Sequence, residues 1–255
     1  MGASTEAPAS HAGQPSAAAP GMPVGGAPVA RLRGVERVYR QGSQEVRALN
    51  GVDLDVYPGE FVSLAGPSGS GKSTLLNVIG GLDRPTAGTV ELGGVALAGM
   101  SAAELASLRL HRIGFVFQAY NLIPVLSARE NVEFVLHLQG VAPAQRRARA
   151  LEVLADLGIA ALADRRPADM SGGQQQRVAV ARALAARPLL LLADEPSANL
   201  DSDTTRALLG LLRTLNERDG VTIVTATHDP IVLGFARRHV RLVVGRIVDD
   251  VRDPS

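Results

Sequence analysis

The segment Gly66-Pro67-Ser68-Gly69-Ser70-Gly71-Lys72-Ser73, with Thr74 after it, follows an apolar run, Phe61-Val62-Ser63-Leu64-Ala65, and opens a helical pattern from Lys72 to about Ile79. A buried strand, a glycine-rich turn and a helix in that order form a phosphate-binding loop. The glycines let backbone N–H groups turn inward around a β-phosphate, and the helix N-terminus adds the positive end of its dipole. Lys72 is spaced to reach β- and γ-phosphates, and the Ser73 hydroxyl to ligate Mg²⁺. Composition sharpens the point: of 26 basic residues, Lys72 is the single lysine. A GC-rich coding bias turns lysine into arginine wherever either serves, so the retained lysine marks a position that needs a compact, flexible ammonium.

The rest of the composition excludes several classes. Lys and Arg (26) nearly cancel Asp and Glu (25) for a net charge of +1, which gives no electrostatic footprint for nucleic acid. Without cysteine there is no disulfide framework, thiolate zinc site, iron–sulfur centre or cysteine nucleophile. Neither charge-poor stretch, the N-terminus or 113–128, reads as a membrane span or signal peptide. Ala, Gly, Pro and Ser fill 21 of the first 28 residues, so 1–28 is expected to be a disordered tail.

From Val29 on, the chain reads as one folded unit. Residues 29–66 read as short strands and turns, with Val52, Leu54 and Val56 alternating against Asp53 and Asp55 before the turn Tyr57-Pro58-Gly59-Glu60. Residues 119–168 read as mainly helical, with Leu151, Leu154, Ala155 and Leu157 on one face and Arg146, Arg147 and Arg149 solvated. A helix follows Ser171, and Leu189–Ala193 reads as a buried parallel strand. Asp201-Ser202-Asp203 caps a helix carrying Leu208, Leu211, Leu212 and Leu215. Val221–Thr227 is β-rich, and Arg241–Val251 is a hairpin about Gly245. Alternating strands and helices predict an α/β sheet with a helical insert.

Two further motifs carry chemistry. The strand at 189–193 ends in Asp194-Glu195, where one carboxylate can hold Mg²⁺ and the other can polarise an attacking water. Ser171-Gly172-Gly173-Gln174-Gln175-Gln176-Arg177 offers a hydroxyl and free N–H groups at a helix N-terminus, an anion site. With the loop at 66–74 and the acids at 194–195, the sequence closely resembles an ABC-transporter ATPase subunit over about residues 31–250.

That resemblance implies an α/β fold for residues 29–255: a P-loop NTPase of the ABC ATPase kind, with a mixed sheet core, an antiparallel β subdomain and a helical insert at about 119–168. It implies that Tyr39 stacks on adenine, that Gln118 senses Mg²⁺ and the attacking water, and that Asp194 and Ser73 serve the metal. Glu195 is then the catalytic base, with His228 contacting the γ-phosphate and orienting it. Ser171, Gly172, Gly173 and Gln174 would complete the site of a second subunit, and Ser197-Ala198-Asn199-Leu200-Asp201 would cross the dimer interface. Met170 stands where leucine is usual, and Ser197-Ala198 where Thr-Gly is commoner, which leaves the backbone of that crossing loop open. His11, His111, His137 and His239 are expected to be structural or solvated.

Gly80-Gly81-Leu82-Asp83, Tyr120-Asn121-Leu122-Ile123-Pro124, Glu130-Asn131-Val132 and the triple glutamine look most like the lipoprotein-release and macrolide-efflux branch. The branch implies ATP and Mg²⁺ as cofactors, a homodimer of ATPase subunits, and a separate integral-membrane permease that holds the chain at the cytoplasmic face. The alternative within the same fold is a non-transport ATPase regulating cell-wall or cell-division machinery. DNA-repair and translation ATPases of this kind carry coiled coils, zinc modules or tandem units that this sequence lacks.

Overall fold

The computed structural model describes residues 26–42 and 44–253, so nearly all of the segment 1–28 lies outside the described residues. The chain begins with two long antiparallel strands, β1 (Ala30–Gln41) and β2 (Gln44–Val56), where the sequence reads as short strands and turns. Irregular register between Leu32 and Val38 lets them stay paired while the ribbon bends, which hides their length from a period-2 pattern. The phosphate-loop strand β3 (Phe61–Ala65) and helix α1 (Lys72–Ile79) follow.

Next come β4 (Ala87–Leu92), β5 (Val95–Ala96), α2 (Ala102–Arg112) and β6 (Ile113–Val116). Beyond β6, α3 (Ala128–Leu138), α4 (Pro143–Asp156) and α5 (Gly172–Ala185) pack on one another, while 117–127 is loop. The chain returns through β7 (Leu190–Asp194), α6 (Ser202–Asp219), β8 (Ile223–Thr227), α7 (Pro230–Leu233), β9 (Arg238–Val243) and β10 (Arg246–Arg252). The last two strands form the expected hairpin about Gly245, longer than read from sequence.

Two sheets result. The antiparallel one has strand order β2-β1-β4-β5. The larger is mixed, in the order β10-β9-β3-β8-β7-β6, and only its edge strand β10 runs antiparallel. The central strands are buried on both faces, which explains their unbroken apolar runs. In β7, Leu191 and Ala193 enter a core with α4, α5 and α6, whereas Leu190 and Leu192 enter a core with α1 and the antiparallel sheet.

Two helix faces differ from the sequence expectation. In α4 the buried residues are Ala150, Val153 and Leu154, joined by Leu157 just beyond it, while Leu151 and Ala155 are exposed. In α6 Leu209 is buried with Leu208, Leu212 and Leu215, and Leu211 is only half-buried. Both helices offer more leucine and alanine than one face needs, so packing direction chooses among them. Nor are all three α4 arginines simply solvated. Arg149 bonds to the carbonyls of Leu184 and Ala185 at the end of α5, Arg146 pairs with Glu133, and Arg147 is exposed.

Candidate active site

The parallel strands all deliver their C-terminal ends to one edge, where ligands of open α/β sheets bind. β3 leads into Gly66, β6 into Gln118, β7 ends at Asp194 with Glu195 next, and β8 leads into His228. A cavity of about 880 Å³ opens there, within the range of small-ligand sites. Its wall includes Tyr39, the loop from Pro67 to Thr74, Gln118, Glu195 and His228. A second cavity of about 550 Å³ lies behind the N-terminal side of β7, lined by ion pairs such as Arg149–Glu152 and Arg218–Asp219, with no glycine-rich loop.

The loop is held by close backbone packing. A Cβ on Gly66 would stand 2.2 Å from the Leu242 carbonyl oxygen, and one on Gly71 2.4 Å from that of Ala48. Gly71 also takes φ 104°, open only to glycine at low cost. Lys72, 7% exposed, folds back so that Nζ donates to Gly66 O at 2.9 Å and Pro67 O at 3.1 Å. Those carbonyls hold the ammonium at the loop mouth.

Ser73 donates to Asp194 Oδ1 at 2.9 Å across 121 positions of sequence. Burial, the largest cause, pushes the Asp194 carboxyl above the usual range, and the Ser73 bond opposes it. Ser73 lines the cavity, and its hydroxyl and the Asp194 carboxylate are hard oxygen donors of the kind Mg²⁺ takes alongside phosphates. Two protein oxygens are the share Mg²⁺ takes from a protein when phosphate oxygens and water fill its other positions, so the donor set fits such a cation. Gln118 is exposed at the cavity wall.

Glu195 has φ 46°, a strained region for a residue with a Cβ. Its amide bonds to Ala226 O at 2.9 Å, and its carboxylate lies 2.7 Å from His228 Nδ1 and 3.4 Å from Thr227 Oγ1. The carboxylate is aimed by its neighbours rather than by its own backbone preference. Glu195 is the only residue of 194–201 with positive φ, so Ala198 in the crossing loop stands in a backbone conformation alanine accepts.

Tyr39 presents its ring to the cavity beside Val46, its partner across the β1–β2 register. The Arg37 guanidinium lies 4.4 Å from the ring centroid, and the Tyr39 hydroxyl donates to Asp83 at 2.6 Å. Asp83 also pairs with Arg37. Sequence reasoning missed Arg37 and the wall residues Val46, Arg47 and Ala48, because the β1–β2 pairing sets them there, and it named Asp83, in the turn after α1, only as part of a branch motif.

Ser171, Gly172, Gly173 and Gln174 do not line this cavity. They form the N-terminus of α5, where Ser171 and Gln174 make a capping box: Gln174 N donates to Ser171 Oγ at 3.4 Å and Ser171 N to Gln174 Oε1 at 2.9 Å. Met170 is buried in the core beneath them. Of the histidines, His11 lies outside the described residues. His111 bonds to Ser107 O and His137 meets Arg146. His239 Nδ1 lies 2.8 Å from Ser63 Oγ, and Ser63 is fully buried, so the pair stitches β3 to β9.

A family model described as ABC transporter matches residues 49–198. The lipoprotein-releasing system ATP-binding protein LolD of Chromohalobacter salexigens is 44% identical over 220 residues, covering 86% of this chain and 93% of that protein. The chain belongs to the ABC transporter family. It is also 48% identical, over 92% of its length, to the macrolide export ATP-binding/permease protein MacB of Azoarcus sp.. It spans about a third of the length of the curated macrolide exporters it matches. Among solved structures it is similar to the ATP-binding cassette MJ0796, dimeric and bound to ADP and Pi in a post-hydrolysis state, with TM-score 0.82 and 44% identity over 89% of this chain and 99% of that one. That protein comes from Methanocaldococcus jannaschii. These relatives establish the fold as that of an ABC ATPase cassette.

Proposed function

We propose that the chain binds ATP with Mg²⁺, dimerises over two nucleotides, and hydrolyses them to drive a separate membrane permease in export or extracytoplasmic work. The observation that carries this reading is the convergence of the Lys72 loop, the Ser73–Asp194 pair and the Glu195–His228 pair on one cavity. Phosphoryl transfer asks for positioning and charge compensation rather than covalent chemistry, and those groups supply both.

In this reading the triphosphate takes the Lys72 ammonium from the carbonyls of Gly66 and Pro67, and loop amides from Gly66 to Thr74 hold its oxygens. Mg²⁺, when bound, neutralises charge that develops on the phosphates. Ser73, Asp194 and Gln118 would hold it. Glu195 accepts the proton of the attacking water, and His228 orients Glu195 and the γ-phosphate. Tyr39 stacks on adenine, with Arg37 behind its ring. Ser171, Gly172, Gly173 and Gln174 bind the γ-phosphate held by the partner subunit, which agrees with their place outside the chain's own cavity.

For the permease, an apolar groove of about 480 Å³ between β6 and α3 is lined by Leu82, Phe117, Phe134 and Leu138. Leu82, Phe134 and Leu138 are 45%, 39% and 56% exposed, a gathering of large apolar side chains suited to a partner. No described helix is long and apolar enough to cross a membrane, so such a partner would supply the spans and hold this chain at the cytoplasmic face. The test is Mg²⁺-dependent phosphate release by the purified chain against Lys72→Ala. Equal release by both would overturn the reading.

A further inference from the structure

Between β6 and α3 the backbone passes through two consecutive left-handed residues, Tyr120 at φ 57° and Asn121 at φ 50°. Neither is glycine, so each costs about 1 kcal/mol or more unless its surroundings impose it. The surroundings are specific. Arg182, on α5, donates through Nη1 to Asn121 O at 2.5 Å and through Nη2 to Tyr120 O at 3.0 Å. Asn199, in the crossing loop, donates to Gln118 O at 3.0 Å. At the other end of α5, the Tyr120 hydroxyl lies 2.9 Å from where a Cβ on Gly172 would stand.

Arg182 is unusual as well. Burial lowers its pKa, and among the described residues no carboxylate pairs with it. A half-buried guanidinium answered by carbonyls costs more than a fully solvated surface arginine. Its planar fork explains the choice, since it can grip two adjacent carbonyls at once where an ammonium cannot match both directions.

We infer that Arg182 and Asn199 are positioning residues that lock the Gln118 loop to α5 and to the crossing loop. Displacement of α5 then moves Gln118 relative to Glu195. This rests on the proposed function, and it adds to that reading the residues that transmit motion. α5 carries Ser171 at its N-terminus, so a γ-phosphate of the partner subunit pulling on Ser171 acts, through Arg182, on the chain's own water-sensing glutamine. Arg182 also lines the apolar groove, so an occupant there presses on the same lock.

The experiment is a double-mutant cycle on the full chain, comparing Arg182→Gln, Asn199→Ala, Gln118→Ala and the paired variants by kcat, KM and direct ATP binding. Expected is a roughly ten- to hundredfold fall in kcat for Arg182→Gln and Asn199→Ala, with ATP affinity unmoved, because misplacement and not capture is impaired. Each combined with Gln118→Ala should be no slower than Gln118→Ala alone, because both act through one residue. Losses that multiply, or an unchanged kcat, would overturn the proposal. Asn199 is exposed, so its variant keeps the test open if Arg182→Gln does not fold. A wild-type chain without Mg²⁺-dependent hydrolysis would overturn the function itself, an outcome distinct from multiplicative losses in an active enzyme.

Discussion

At the scale of single residues, Lys72 and Asp194 show how this site is charged before a ligand arrives. The Lys72 ammonium is held on two loop carbonyls at 2.9 and 3.1 Å, bonds a triphosphate oxygen can replace with a stronger, charge-assisted one. An arginine there is longer and planar and cannot swing between carbonyl and phosphate in the same space. Lys72→Arg is expected to lose roughly 10²–10³-fold in hydrolysis, the scale of removing one fixed transition-state donor. Phosphate release at saturating ATP measures it.

Asp194 behaves in the opposite sense to an ordinary surface carboxylate. Burial raises its folded pKa, so the folded state binds a proton more tightly than the unfolded one. Its contribution to stability therefore falls as pH rises from the ordinary carboxylate range through the raised value. Asp194→Asn removes that penalty and keeps an oxygen to accept from Ser73. The nucleotide-free variant should melt at or above the parent temperature near neutral pH, with the gap closing on acidification. It should also gain nothing in melting temperature from ATP–Mg²⁺. Thermal unfolding across pH, with and without the nucleotide, checks both.

At the scale of elements, α5 serves two purposes that a substitution can separate. Its capping box satisfies the first-turn amides, and under the proposed function Ser171 also meets the partner's nucleotide. Ser171→Arg removes the cap, at about 1 kcal/mol, and blocks the interface with a bulky cation. Expected are a slightly lower melting temperature, ATP binding by the monomer close to the parent, and no hydrolysis. Ser171→Thr keeps a capping hydroxyl and should restore the melting temperature. Isothermal titration with unfolding curves separates the two effects, and a Ser171→Arg chain that hydrolyses at the parent rate would refute the role across the interface.

At the scale of the whole molecule, the proposed function gives the Glu195–His228 pair control of the open and closed assemblies. Glu195→Gln keeps the shape and loses the proton acceptor, which costs about 10²–10⁴ in rate for a general base. It also removes a negative charge beside the γ-phosphate. ATP–Mg²⁺ should convert this variant from monomer to a stable dimer, seen by size exclusion with light scattering. Hydrolysis at the parent rate would refute the base assignment, and failure to dimerise with ATP bound would refute the two-nucleotide assembly.

The parts legible in the sequence are those whose cause is local. Gly66–Ser73 reads as a phosphate loop because glycine spacing, one lysine and a helix start suffice to define it. The limits of α1 are equally plain, and so is the Asp201 cap of α6, which accepts from Asp203 N and Thr204 N. The burial of β7 on both faces follows from an unbroken run of leucines. What depends on register, twist and packing direction was open until the chain folded. Tyr39 finds Val46 only because β1 and β2 pair in one register, and Ser73 finds Asp194, and Tyr39 Asp83, only because α1 and the turn after it pack against other strands. The buried faces of α4 and α6 depend on which neighbour each helix meets. Arg182 reads as one arginine among 25 in the sequence, and only in the fold do its two bonds to Tyr120 and Asn121 set it apart. Residue type and spacing are written along the chain, whereas a contact between distant segments exists only once both are held against a shared core.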